Sequence, residues 1–259
     1  MLTLKQIEQQ YPESLRPFKR GMLREYLQYK ILEIIFSTEY AKKLSFLGGT
    51  ALRIIYGNTR FSEDLDFDNF DLNDMEFTGL SQKIRAGLEA EGLKVEVDIV
   101  GKNTYRCRVR LPEILFINEL SPYQEEKILI QIDSQAQGFE YAPDNKILSK
   151  FDVFSGVFVT PLDILLSQKI FAALNRKRAK GRDFYDIVFL CALTKPNYAY
   201  LKLKLGITDA TTLRKKILEE VKGFDFKELG LEVQSFLFNP DDIRKIDLFT
   251  EFIAQAPLT

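Results

Sequence analysis

The pattern of apolar residues divides this chain near residue 150 into a mixed half and a helical half, and that division limits the folds open to it. In the first half, short apolar runs alternate with polar residues between helical stretches, as strands half-buried in a sheet require. Leu44 and Phe46, Leu65 and Phe67, and Ile128, Ile130 and Ile132 each fall on one face of a predicted strand. Segments 94–100 and 104–110 flank Gly101-Lys102-Asn103 and predict a hairpin, and 114–117 and 127–133 are expected to add to the same sheet. Segment 138–150 reads as a loop, and 151–159 as one more strand or a crossing. From Thr160 onward the pattern is helical. Thr160-Pro161-Leu162-Asp163 predicts a helix start with Thr as N-cap and Pro at the first helical position, and further helices are expected at 183–193, 208–222 and 240–255. Ile7, Leu15, Met22, Leu23, Tyr26, Ile31 and Ile35 predict helices in the first forty residues, broken into pieces by Pro12 and Pro17. The expectation is an α/β (α+β) lobe over 1–150, with N-terminal helices over 1–40 and the sheet over 41–150, followed by a helical lobe over 151–259.

Composition removes several chemistries. The 259 residues include no histidine, which excludes histidine general bases, histidine triads and the commonest zinc sites. Catalysis must therefore run on carboxylates, Lys, Arg, Tyr, hydroxyls, Cys or a hard metal ion. With 36 Lys and Arg against 37 Asp and Glu, the net charge of −1 supplies no global field, so any affinity for nucleic acid must come from a local patch. Cys107 and Cys191 lack CxxC spacing and read as core thiols of a reducing compartment. No apolar run approaches the ~18 residues of a membrane span. The opening MLTLKQIEQQ lacks the apolar stretch of a signal peptide, so a cytoplasmic protein is expected.

The strongest constellation is Gly48-Gly49-Thr50, a predicted helix over 50–56, then Arg60-Phe61-Ser62-Glu63-Asp64-Leu65-Asp66-Phe67. Glycines between a strand and a helix let the backbone approach a phosphate, and the helix start offers free N–H groups to it. Aspartates at i and i+2 of a strand share a face, where they repel each other unless a cation lies between them. Mg²⁺ (or Mn²⁺) suits such a pair, since it prefers oxygen ligands and phosphates. Asp133, at the end of a predicted strand, is the candidate third carboxylate for the metal or the acceptor, and Asp98 is its competitor. A second constellation runs from Lys169 through Arg176 to Arg182-Asp183. It holds six basic residues and no acid between 169 and 182, a local phosphate-seeking stretch. Asp183 reads equally as a helix N-cap paired with Arg182.

Taken together, GGTALRIIYGNTRFSEDLDF and LLSQKIFAALNRKRAKGRDFYDI resemble the AbiEii/AbiGii toxin family of nucleotidyltransferases, within the polymerase-β-like superfamily. The resemblance covers roughly residues 44–190. It implies a mixed-sheet nucleotidyltransferase lobe joined to a helical C-terminal lobe, and transfer of an NMP from an NTP, in several members to the acceptor end of tRNA. It also implies a cognate antitoxin encoded by a neighbouring gene. By position, Gly49 and Thr50 match the glycine–hydroxyl motif, Asp64 and Asp66 the metal pair, Lys169 the helical lysine, and Asp183 the acid after arginine. Thr50 stands where many nucleotidyltransferases carry serine, and the stretch from Thr50 to Asp64 is longer than in the minimal members. The expected site thus comprises Asp64, Asp66, Asp133, Lys169 and Asp183, with Gly48, Gly49, Thr50, Arg60, Arg176 and Arg182 on the nucleotide. Two other readings stand beside it: transfer to a small molecule of the aminoglycoside kind or to a protein hydroxyl, and a non-catalytic nucleotide- or partner-binding module. Metal-dependent loss of NTP separates enzyme from binder.

Overall fold

Most of the strands form where the alternation predicts them, and their order sets the site. In a computed structural model, which describes residues 1–100 and 105–259, they are β1 (Leu44–Leu47), β2 (Leu65–Asn69), β3 (Glu96–Ile99), β4 (Tyr105–Leu111), β5 (Ile128–Gln135), β6 (Asp144–Lys150) and β7 (Val153–Val159). They make one mixed sheet in the order β3-β4-β5-β2-β1-β7-β6. β2 runs parallel to β5 and β1 to β7, and the remaining neighbours are antiparallel. Ile128, Ile130, Ile132 and Ser134 of β5 are buried, while Leu129, Gln131, Asp133 and Gln135 project from the other face.

The chain divides into two compact units: residues 1–56, 61–138 and 142–159, and residues 57–60, 139–141 and 160–259. In the first unit α1 (Leu4–Glu8) precedes α2 (Lys19–Phe36), α3 (Gly48–Tyr56) follows β1, and α4 (Asp74–Ala90) follows β2. The helix α2 is buried along most of its length and packs against β5, β7 and α4. A reciprocal capping box starts α4, with Asn73 Oδ1 accepting from the Glu76 N–H and Glu76 Oε2 from the Asn73 N–H, both at 3.0 Å. Glu25 of α2, 2% exposed, accepts from Tyr11, from Arg53 of α3 at 2.7 Å and from Lys150 of β6 at 2.8 Å. Burial pushes its carboxyl up, but Arg53 and Lys150 outweigh that and hold it below the usual range. This buried ion pair fixes α3, and with it the glycine turn.

The second unit packs α6 (Leu162–Asn175), α7 (Gly181–Cys191), α8 (Tyr198–Leu205), α9 (Ala210–Glu220), α10 (Phe226–Gln234), α11 (Arg244–Asp247) and α12 (Phe249–Gln255). Its core holds Phe184 of α7 edge-on to Phe224, Phe226 and Phe249, with centroids 4.8 to 6.0 Å away. At Gly181, α7 touches α10 so closely that an added Cβ would overlap the Leu229 carbonyl and lie 2.8 Å from Val233 Cγ2. Backbone cannot turn aside as a side chain can. Gly181→Ala should therefore destabilise the protein by roughly 1–3 kcal/mol, the usual range for overpacking, read as a lower urea midpoint with an unchanged slope. An unshifted midpoint would show that the two helices part freely.

The structure corrects several sequence expectations. Residues Ile114–Ile117 form a short helix, α5, not a strand. Ile114 and Leu115 are buried while Phe116 and Ile117 are exposed, a pattern that does not alternate. Segment 138–150 is not all loop: it contains β6, an edge strand in which Leu148 is the one buried residue, so the apolar alternation is too weak to signal it. The N-cap of α6 is Pro161, not Thr160, whose hydroxyl is instead 2.8 Å from the Tyr141 hydroxyl. The short helices α8 and α10 were not anticipated. β3 and β4 pair as an antiparallel hairpin, but its turn, Gly101-Lys102-Asn103, lies outside the described residues. Among the described residues no helix is long and apolar enough to cross a membrane.

Candidate active site

The two sequence motifs of the first unit meet at the end of β1. Gly48 opens α3 with φ +79°, a left-handed conformation that favours glycine. A Cβ there would lie 3.0 Å from Asp66 Cβ and closer still to its Oδ2, so only glycine lets the turn sit against this carboxylate. Leu47 and Asp66 are partners in the β1–β2 register. The buried Thr50 hydroxyl donates to the Asp64 carbonyl oxygen and ties the first turn of α3 to the segment entering β2. Gly49 is buried in the same turn.

The parallel pairing of β2 with β5 then adds Asp133. Asp66 is the register partner of Asp133, and Asp133 in turn of Arg106 on β4. Register partners share a face, so Arg106, Asp133 and Asp66 form one row across three strands. Asp64 lies one pleat away, with Oδ1 3.4 Å from the Gln131 N–H. Both Asp133 oxygens are engaged: Oδ1 by Arg106 Nε at 2.5 Å, Oδ2 by Arg106 Nη2 at 3.3 Å and by Gln131 Nε2 at 2.8 Å. The Arg106 guanidinium is held more firmly protonated than usual, first by its hydrogen bond to Asp133, then by the charge of Asp133 and of Asp64 and Asp66. Asp66, Asp133, Arg106, Tyr105 and Gln137 line an open cavity of about 420 Å³. Asp98 lies apart on β3, the sheet's edge strand, paired with Arg110.

Arg106 belongs to neither sequence constellation. Its signal was the alternation of Arg106, Arg108 and Arg110 with the buried Cys107, Val109 and Leu111, which puts three arginines on one face of β4. Asp64 and Asp66 offer carboxylate oxygens, the donors a hard divalent cation takes, and the missing Cβ of Gly48 lets the Asp66 carboxylate sit against the turn. Among the described residues, no three acidic or thiol side chains converge on a point that could hold a metal ion.

Lys169, Asp183, Arg60 and Arg176 come together in the second unit. Lys169 Nζ lies 2.8 Å from Asp186 and 3.2 Å from Asp183, and Arg176 Nε lies 3.1 Å from Asp183. Asp186, fully buried, also accepts from Arg60 Nε at 2.8 Å, from Arg60 Nη2 at 2.7 Å and from Asn58 at 2.9 Å. Burial pushes the Asp186 carboxyl up, but Arg60 and Lys169 outweigh it and bring it down to about 2. Burial likewise pulls the Lys169 ammonium down, and Asp186 and then Asp183 carry it above the usual lysine range. Asp183 sits in the first turn of α7 behind an N-cap at Lys180, not as the N-cap itself. Asp186 carries the centre of this cluster and was not singled out from the sequence. Its signal was the i, i+3 spacing from Asp183, which puts both acids on one helix face. Of the remaining basic stretch, Arg178 pairs with Glu232 at 2.6 Å, Arg182 stacks over Phe236 at 5.2 Å, and Lys177 is exposed.

Comparison with known proteins follows the same lines. The comparison with curated proteins gives no match. Among solved structures, MenT4, a nucleotidyltransferase toxin from Mycobacterium tuberculosis, superposes with a TM-score of 0.62 at 15% identity, covering 98% of this chain and 90% of that one. JHP933 from Helicobacter pylori gives 0.54 at 17% identity over 90% and 91%. A putative nucleotidyltransferase from H. pylori gives 0.54 at 19% over 90% and 94%. At these identities the likeness is one of fold. The family described as nucleotidyl transferase AbiEii toxin, type IV toxin–antitoxin system, matches residues 30–248, which contain both constellations. The chain belongs to the AbiEii family of nucleotidyltransferase toxins.

Proposed function

We propose that this chain moves an NMP from an NTP to a hydroxyl of an RNA acceptor, of the tRNA class, with Mg²⁺ or Mn²⁺ held by Asp64 and Asp66. The observation that carries the reading is the seating of Asp66 directly against Gly48, with Thr50 bonded back to Asp64. The phosphate-binding turn and the metal-binding acids are thereby one structure. When bound, the metal ion would supply charge neutralisation to the phosphates. The acceptor oxygen bonds to the α-phosphorus, the bond from that phosphorus to the bridging oxygen breaks, pyrophosphate leaves, and the hydroxyl proton passes to water. The N–H groups at the start of α3 would receive the triphosphate oxygens. Little covalent chemistry is asked of side chains, which suits a chain without histidine.

Membership of a type IV system supports two partners, an NTP and an antitoxin. An RNA acceptor is supported by what is left of the basic stretch once Lys169, Arg176 and Arg178 are paired with acids, chiefly the exposed Lys177. Work in the cytoplasm follows from such an acceptor. Incubation with total tRNA and each of four α-labelled NTPs should place label on tRNA, from one NTP in preference, and only with divalent metal present. Label on the protein itself or on small molecules would move the acceptor to the other classes. Loss of no NTP at all, with metal present, would leave a binding module.

A further inference from the structure

Both Asp133 oxygens are turned to Arg106 and Gln131 and not to an open metal position. Two-metal phosphoryl-transfer sites place their ions roughly 3.5–4 Å apart and share carboxylates between them. Here the carboxylate that would be shared holds three N–H groups on its two oxygens, two of them from one guanidinium. A planar guanidinium paired through two N–H groups is a strong and geometrically fixed contact, and its charge persists at every accessible pH. No trio of acids among the described residues converges on a metal position. Arg106 stands one register step beyond Asp133, in the row that leads to Asp66, and it lines the same cavity. Its Nη1 makes no hydrogen bond among the described residues, which leaves one donor edge available to a phosphate oxygen.

We infer that Arg106 is the second cation of this site: held on Asp133 beside Asp66, it occupies the place of a second divalent ion, and a single metal ion on Asp64 and Asp66 completes the centre. The inference rests on the assignment of Asp64 and Asp66 as the metal pair. Asp133 is then a positioning residue, whose task is to hold Arg106 and not to ligate metal. A guanidinium in this role fixes one positive charge in the site at any metal concentration, so occupancy has to be won for one ion and not for two.

The test is titration of the folded protein with Mn²⁺ alone, with free ion read by electron paramagnetic resonance, on wild type, Arg106→Gln and Asp133→Asn. The expected result is one Mn²⁺ per chain in wild type and two in Arg106→Gln, where Asp133 is released to share a second ion. Asp133→Asn should still bind one ion, with affinity within about threefold of wild type. Arg106 has a side chain 45% exposed, so its replacement should leave the fold intact. If Arg106→Gln nevertheless unfolds, Asp133→Asn decides. A loss of tenfold or more in its Mn²⁺ affinity makes Asp133 a ligand and overturns the inference. Two ions in wild type, or one in both wild type and Arg106→Gln, would also overturn it while leaving the metal pair standing. No bound ion in wild type would remove the metal pair and the inference with it.

Discussion

Asp186→Ala should destabilise the protein by about 3–5 kcal/mol, the range for breaking a buried ion pair from one side. Asp186 has 0% exposure and gathers four contacts from three residues: Asn58, Arg60 twice and Lys169. Its loss leaves the Arg60 guanidinium, itself 1% exposed, without its carboxylate and far from water. Lys169 retains Asp183 at 3.2 Å, so most of the penalty falls on Arg60. The pH dependence identifies the cause. The folded carboxyl is lowered from 3.8 to about 2, so the stability it contributes is complete above about pH 4 and is lost as pH falls through 2. Urea unfolding at pH 7 should therefore separate wild type from variant widely, and at pH 2.5 the gap should narrow. A difference below ~1 kcal/mol at pH 7, or one indifferent to pH, would sink the account. The same geometry bears on Lys169, whose removal exposes two buried acids to each other. Lost activity in Lys169→Ala must be read against its lost stability before it is assigned to a phosphate.

Why these features were more or less visible in the sequence follows from what each rests on. The pairing of Asp64 and Asp66, proposed here as the metal pair, was legible because two acids at i and i+2 of a strand share a face whatever the fold around them. The role of Gly48 was legible as a turn, but its particular partner was not. Contact with Asp66 depends on the β1–β2 register, which pairs Leu47 with Asp66. Asp133 could be named because the isoleucines of β5 announce the strand, whereas the parallel pairing that sets it beside Asp66 is a non-local event. Arg106 was invisible for the same reason, since its meaning comes entirely from β5 lying next to β4. The basic stretch shows the opposite failure. Its unbroken run of positive charge suggested a free phosphate-seeking surface, yet Lys169, Arg176 and Arg178 find acids from elsewhere in the unit: Asp183 and Asp186 on α7, and Glu232 on α10. A run of like charge reports composition, and ion pairing across helices is decided by packing. The edge strand β6 and the helix Ile114–Ile117 were misread because each buries only part of an apolar run, so no period emerges.

Asp66→Asn is expected to lower nucleotide transfer by at least about 100-fold, the scale on which a preorganised charge contact at a transition state is felt, while the protein stays folded. Asparagine has the shape of aspartate, so it fits against Gly48 where any larger change would collide with the turn. What it lacks is the negative charge and one of the oxygen ligands. Asp64, Asp66 and Asp133 set three negative charges around the single guanidinium of Arg106. Removing one carboxylate relieves part of that mutual repulsion, and the metal-free melting temperature should change little. The metal itself gives an independent reading. An ion that binds only the folded state stabilises it by about 2.7 kcal/mol at 100 times its Kd, so Mg²⁺ or Mn²⁺ should raise the melting temperature of wild type and leave Asp66→Asn unmoved. Asp64→Asn should behave alike, whereas Asp98→Asn, on the edge strand and paired with Arg110, should keep both activity and the metal response. Transfer within about tenfold of wild type in Asp66→Asn, a change of only ~1.4 kcal/mol in barrier, would remove this residue from the centre. So would a metal-induced rise in melting temperature that survives the substitution.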